Sequence, residues 1–206
     1  MTVPVRELDR LVERARLLLA AGGRSILGIT GPPGAGKSRL AGRLVAELAP
    51  AAALLGMDGF HIADAELRRL DLRDRKGAPE TFDRAGFVAL LRRLRSESGV
   101  VYAPVFDRGI EDSIAAAVGI PPSAGLVVTE GNYLLHWPDV REELDEIWYL
   151  DPPPDRRRAA LIERHAAFGK TAEQASEWVR RSDDRNAELI AADKPLADQL
   201  VNWGDW

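Results

Sequence analysis

Gly31, Gly36, Lys37 and Ser38 fall on the spacing Gly-x-x-x-x-Gly-Lys-Ser, directly after the apolar run from Ile26 to Thr30. That spacing makes a loop whose backbone N–H groups can cradle phosphate. Gly34 and Gly36 can take backbone angles closed to residues with a Cβ, so the chain can approach a phosphate closely. The Lys37 ammonium can act as a point charge between β- and γ-phosphates. The Ser38 hydroxyl can ligate Mg²⁺. A helix read over residues 38–49 would add the positive end of its dipole. The phosphate-binding set is therefore Gly31, Pro32, Pro33, Gly34, Ala35, Gly36, Lys37, Ser38 and Arg39, with Arg157 added from further along the chain.

Two carboxylates close apolar runs. Asp58 follows the run 52–57, and ligands of an open α/β sheet bind beyond the carboxyl ends of its strands. A carboxylate there can orient an acceptor hydroxyl and take its proton. Its plainer role is an Asx turn before Gly59. Glu130 closes the most apolar stretch of the chain, Leu126–Glu130. It can serve Mg²⁺ directly or through water, or stand as a solvated or capping glutamate.

Arg156, Arg157, Arg158 and Arg164 follow the corner Asp151-Pro152-Pro153-Pro154. Arg157 and Arg164 lie two helical turns apart and share a face. A guanidinium on a mobile lid, here about residues 155–185, can stabilise the charge of a phosphoryl group in transfer. A charge run is otherwise a solvated helix face. His61, Lys76, Arg108, Glu111 and Tyr133 sit near strand ends or adjoining loops and are candidates for reading the acceptor. His136, His165 and the tryptophans read as structural.

The elements that must position these residues follow from apolar periodicity and breakers. Helical patterns cover 5–20, 38–49 (ended by Pro50), the first part of 63–76, and 84–95 capped by Asp83. Residues 156–190 read as helical with a break at Phe168-Gly169-Lys170. Strand patterns cover Ser25–Thr30, 52–57, 100–106, a hairpin strand at 114–120, Leu126–Glu130, 146–150 and 200–203. Alternation of strand and helix from residue 25 onward predicts a parallel sheet with helices on both faces. The strand ending at Asp58 is expected beside the strand that feeds the phosphate loop.

Composition bounds the function. The 206 residues are 46% hydrophobic, which suits one domain over 1–206 that includes a lid. A net charge of −4 gives no reason to expect nucleic acid. There is no cysteine, hence no disulfide, thiolate metal site or cysteine nucleophile, in keeping with a reducing cytoplasm. The three histidines show no metal-ligand spacing. Residues 3–21 mix charge with Leu, Val and Ala, a poor signal peptide and no membrane span. The expected partner is a small-molecule acceptor, with a homodimer left open.

Five pieces in order resemble a known family. They are Gly31–Ser38, Asp58-Gly59-Phe60-His61, Arg75-Lys76-Gly77-Ala78-Pro79-Glu80-Thr81-Phe82-Asp83, Pro104-Val105-Phe106-Asp107 and Glu130-Gly131-Asn132-Tyr133. Together they resemble the P-loop small-molecule kinases of the uridine kinase, phosphoribulokinase and pantothenate kinase type, over about residues 24–165. The resemblance implies a three-layer α/β P-loop fold with a mostly parallel central sheet, helices on both faces and a small helical lid. It also implies ATP- and Mg²⁺-dependent phosphorylation of a hydroxyl on a nucleoside, a sugar such as fructose, or a pantothenate-like acceptor. Under it, Asp58 takes the position of the catalytic base, Glu130 that of the Mg²⁺ shell, and Arg164 belongs to the lid. Gly77 stands where uridine kinases carry an Asp that grips ribose, and Glu111 where they carry a His. The Lys-Gly-x-Pro-Glu run is nearer the pantothenate kinases, and the whole is nearest the short bacterial uridine-kinase-like and fructose transport system kinases. The rivals are a GTPase and a non-catalytic nucleotide-binding module. The guanine-reading string Asn-Lys-x-Asp is absent from the sequence, and intact Lys37, Ser38, Asp58 and Glu130 argue against the module.

Overall fold

The computed structural model describes residues 7–202. Residues 5 and 6 of the expected first helix, and residue 203 of the expected last strand, lie outside the described residues. The chain runs α1 (Glu7–Ala20), β1 (Ser25–Thr30), α2 (Lys37–Glu47), β2 (Ala52–Gly56), α3 (Asp64–Arg69), α4 (Arg84–Ser96), β3 (Val101–Asp107) and β4 (Asp112–Ile120). It continues through β5 (Leu126–Glu130), α5 (Pro138–Arg141), β6 (Glu146–Asp151), α6 (Pro154–Ala167), α7 (Ala172–Trp178), α8 (Asp184–Ala192) and β7 (Gln199–Asn202).

Five parallel strands form the central sheet in the order β2-β5-β1-β6-β7. Uncharged runs such as Ser25–Thr30 suit strands covered on both faces, and every residue of β1 is buried. On one face Leu11 and Ala15 of α1 and Leu40 and Leu44 of α2 pack on Leu27, Ile29 and Val128. On the other, Phe87, Leu91 and Leu94 of α4 pack with Ile26, Val127 and Ile147. The result is the three-layer α/β architecture. Asp83 caps α4 as expected, accepting from the Gly86 N–H at 2.8 Å. Among the described residues, no helix is long and apolar enough to cross a membrane.

Two expectations about strands need correction. β2 does not lie beside β1, because β5 is inserted between them. The more apolar strand takes the position with neighbours on both sides. β2, partly exposed along most of its length, takes the edge. β3 does not join the sheet. It pairs antiparallel with β4 in a separate two-stranded ribbon, with a register shift between Ala103 and Val105. Pro104, which has no N–H to give a ladder, sits at that irregularity. Buried Val101 and Ala103 alternate with exposed Tyr102, the pattern of a ribbon with one wet face.

The break expected near residue 169 is present: Gly169 has φ +95° between α6 and α7. Thr171 and Gln174 form a capping box that starts α7. A π-helical turn, Val179–Asp183, links α7 to α8.

Candidate active site

The loop between β1 and α2 takes its shape from glycine. Gly34 and Gly36 have φ of +81° and +87°, in the region that L side chains rarely adopt. At Gly34 a Cβ would also lie 2.8 Å from the Arg157 carbonyl oxygen, because α6 packs directly on the loop. α2 starts at Lys37 with no side-chain cap on its first turn, so its leading N–H groups remain for an anion.

Lys37 is 8% exposed. Its ammonium donates to the carbonyls of Gly31 (2.9 Å) and Pro32 (3.0 Å) and to Asn132 Oδ1 (2.7 Å). Burial pushes its pKa down to about 8, against the opposing pull of Glu130 and Asp58. Ser38 Oγ donates to Glu130 Oε1 at 3.1 Å. Burial, and then the nearby Asp58 charge, hold the Glu130 carboxyl above its usual range. A hydroxyl beside a carboxylate is a hard-oxygen donor pair that fits Mg²⁺. Among the described residues no group of three or more His, Asp or Glu is placed to hold a metal. A metal here would thus rest on few protein oxygens plus phosphates, the usual arrangement for Mg²⁺.

Asp58 lies on the short 3₁₀ turn Met57–Phe60 that follows β2. The turn is pressed against β3 so closely that a Cβ on Gly59 would lie 2.4 Å from the Pro104 carbonyl oxygen. This contact is a physical reason for glycine after the aspartate. Asp58 Oδ2 accepts from Arg108 Nη2 at 3.0 Å. His61 Nδ1 lies 2.8 Å from the Asp58 carbonyl oxygen. A carbonyl only accepts, so Nδ1 carries the proton. The His61 ring packs between Phe82 and Phe106, with centroids 4.0 and 4.7 Å away. Burial holds its pKa below the usual histidine value.

These residues share one cavity of about 450 Å³. Its walls include Pro33, Gly34, Lys37 and Ser38 of the loop, with Asp58, His61, Lys76, Arg108, Glu111, Glu130 and Arg164. Among the described residues the Arg164 side chain has neither a hydrogen bond nor an ion pair, and it lines the cavity. Burial, and then the neighbouring Arg108 charge, lower its pKa. It faces the cavity as a cation without a counter-ion of its own.

Gly31, Pro32, Ala35 and Gly36 of the loop do not line the cavity, and neither do three further residues expected at the site. Arg157 is 6% exposed and absent from the cavity wall. Its side chain is buried where α6 meets the loop and pairs with Asp184, while Nη1 has no partner among the described residues. Tyr133 is fully buried and does not line the cavity. It packs against Phe82 and Trp137, and its hydroxyl donates to the Gly77 carbonyl at 2.6 Å. Burial pushes its phenol pKa up. Arg39 is exposed on α2, off the cavity wall. Conversely, His165 and Trp178, read as structural, line the cavity, as do Asn132, Asp183 and Asn186. Asn132 sits in the quoted Glu130-Gly131-Asn132-Tyr133 run and could have been found there. Asp183 closes the π-helical turn and Asn186 lies in α8 just after it, and the sequence carries no signal for that turn.

No family model matches the chain. A Schizosaccharomyces pombe protein provisionally named a uridine kinase is 33% identical over 216 residues, spanning 96% of this chain and 91% of the relative. A pantothenate kinase of Bacillus velezensis is 32% identical over 187 residues, spanning 81% of this chain but 59% of the relative. A crystal structure of a provisional fructose transport system kinase from a Silicibacter species is 33% identical and superposes with a TM-score of 0.86, over 98% of this chain and 99% of that one. With the glycine-rich loop, the carboxylates at the strand ends and the three-layer sheet in place, these likenesses fix the family. The chain belongs to the P-loop small-molecule kinases that include uridine kinase-like and pantothenate kinases.

Proposed function

We propose that this protein uses ATP and Mg²⁺ to phosphorylate a hydroxyl on a small metabolite. Its family supports the kinase class. The observation that carries the rest is the meeting of Lys37, Ser38, Asp58 and Glu130 on one cavity. Lys37 exchanges its carbonyl partners for phosphate oxygens. Ser38 and Glu130 supply the oxygens for Mg²⁺, which when bound draws off charge developing on the phosphates. Asp58 gives up Arg108, holds the acceptor hydroxyl and accepts its proton. The hydroxyl oxygen bonds to the γ-phosphorus, the bond from that phosphorus to the bridging oxygen breaks, and its electron pair leaves with ADP. Arg164 faces the charge in transfer. The arm over about 155–185 closes over the site and excludes water, which suppresses idle hydrolysis.

The acceptor class in this reading is a nucleoside, a sugar such as fructose, or a pantothenate-like alcohol, approached by His61, Lys76, Arg108 and Glu111. The differently named relatives do not choose among these. We assign the reaction to the cytoplasm, in keeping with a cysteine-free chain. The test is ADP release from ATP and Mg²⁺ against panels of nucleosides, sugars and vitamin-like alcohols. Acceptor-stimulated release with a phosphorylated product supports the proposal. Nucleotide binding with no stimulation by any panel member favours a regulatory nucleotide-binding module.

A further inference from the structure

The wall around Asp58 is built of charge. Lys76 has a side chain only 8% exposed. Its ammonium donates to Asp64 and to the Glu111 carbonyl, which leaves one of three N–H donors. Asp64 is shared further: Arg73 Nε reaches it at 2.6 Å and Arg68 Nη2 at 3.4 Å. Three cations thus lean on one carboxylate. Arg108 depends on Asp58, and Glu111 brings a carboxylate that acts on Arg164.

On the wall around Asp58 the rings of Phe106 and Phe82 are already engaged. Lys76 Nζ and Arg108 Cζ lie 5.3 and 5.5 Å from the Phe106 ring centroid, and His61 covers it as well. Phe82 is engaged by His61, Tyr133 and Trp137. A flat base beside Asp58 would have to displace these contacts in order to stack on either ring. An anion would instead meet two cations that flank one ring, and both cations line the cavity. The reaction sharpens this. Once Asp58 turns to the acceptor hydroxyl, Arg108 loses its counter-ion beside the reacting centre.

We propose that the acceptor carries an anionic group, a carboxylate or a phosphate monoester, a few bonds from the hydroxyl that is phosphorylated, and that Arg108 and Lys76 hold it. This rests on the kinase reading and narrows its acceptor class. In this arrangement the anion replaces Asp58 as the partner of Arg108, so binding of the correct acceptor frees the base. A neutral polyol leaves Asp58 paired.

Calorimetry on the intact chain with Mg²⁺ and a non-hydrolysable ATP analogue tests it. Glycerate and gluconate are compared with glycerol and glucitol. Glycerol 3-phosphate and fructose 6-phosphate are compared with glycerol and fructose. At least one anionic member should bind about tenfold or more tighter than its neutral counterpart, a charge-assisted contact's worth. The pair that responds tells carboxylate from phosphate. Arg108→Met should remove most of that preference and Arg108→Lys should keep part of it. Arg108 is substantially exposed, so neither change threatens folding. Anionic members that bind no tighter than neutral ones, absent binding included, overturn the inference, as does a preference untouched by Arg108→Met. Failure of the analogue itself to bind sinks the kinase reading and this inference with it. Good analogue binding without an anion preference sinks this inference alone.

Discussion

Lys37 keeps its positive charge where burial resists it, and its partners in the free protein are oxygens with no full charge. Phosphate oxygens are better partners, so the loop is poised to exchange one set for the other. Lys37→Ala should lower the rate of phosphoryl transfer by about 10²–10³, the loss expected for one preorganised donor. Steady-state ADP release reads this, and undiminished turnover would remove the loop from the reaction. Glu130 is half-buried near Asp58 and is held above the usual carboxyl range by desolvation first, so a cation at Ser38 would relieve it. Glu130→Gln should raise the Mg²⁺ concentration for half-maximal rate. A Mg²⁺ titration that superposes on the parent's would return Glu130 to a purely structural role. Residue types made Lys37, Ser38, Asp58 and Glu130 legible, because few side chains suit those tasks at those spacings. Arg157 misled because helical spacing fixes the face a residue shares, not which neighbour that face meets. Here the face meets Asp184 and the underside of the loop.

α3 and the turns after it form a strap whose knot is Asp64. Burial works against its ionised form, but hydrogen bonds from Lys76 and Arg73 outweigh that and lower its pKa below 3.8. Asp64→Asn should cost about 2 kcal/mol, the scale of a hydrogen bond to a charged group, and so lower Tm by about 4–8 °C in a chain of this size. The sign of the pH dependence follows from the depressed folded value. The contribution is complete above 3.8 and fades as pH falls through the folded pKa. The Tm gap between parent and variant should therefore be full at pH 7 and narrow below about pH 3.8. A gap unchanged across that range would mean that charge at Asp64 is not what holds the strap. At this scale strand and helix existence was legible from periodicity, whereas pairing was not. A Val-rich run such as β3 looks the same locally whether it joins the sheet or an outlying ribbon. Only Pro104 hints at the ribbon. Nor does chain order reveal that β5 slips between β1 and β2, since each crossover leaves room for it.

Across the whole molecule, the carboxyl edge of the sheet gathers β1, β2 and β5, and the arm made of α6, α7 and α8 faces it. The arm breaks at Gly169 and carries a π-helical turn at Val179–Asp183, and it brings Arg164 and Asp183 to the cavity. If it closes as proposed, amide exchange over residues 168–183 should slow by about tenfold with an ATP analogue and acceptor present, as local opening becomes rarer. Unchanged exchange would leave the arm as a fixed wall. The α/β layering was legible because apolar strands alternate with amphipathic helices. The arm's π-helical turn was not, since nothing in the sequence of Val179–Asp183 departs from a helical pattern. The central claim is that Asp58 serves the acceptor while the loop serves the nucleotide, although two strand spacings separate β2 from β1. Asp58→Asn keeps the shape and removes the charge, so calorimetry and steady-state rate on one preparation separate the two roles. The account predicts ATP·Mg²⁺ affinity equal to or slightly above the parent's, with kcat for the acceptor lower by about 10²–10⁴. Affinity that collapses together with rate, or a rate that does not change, would contradict it.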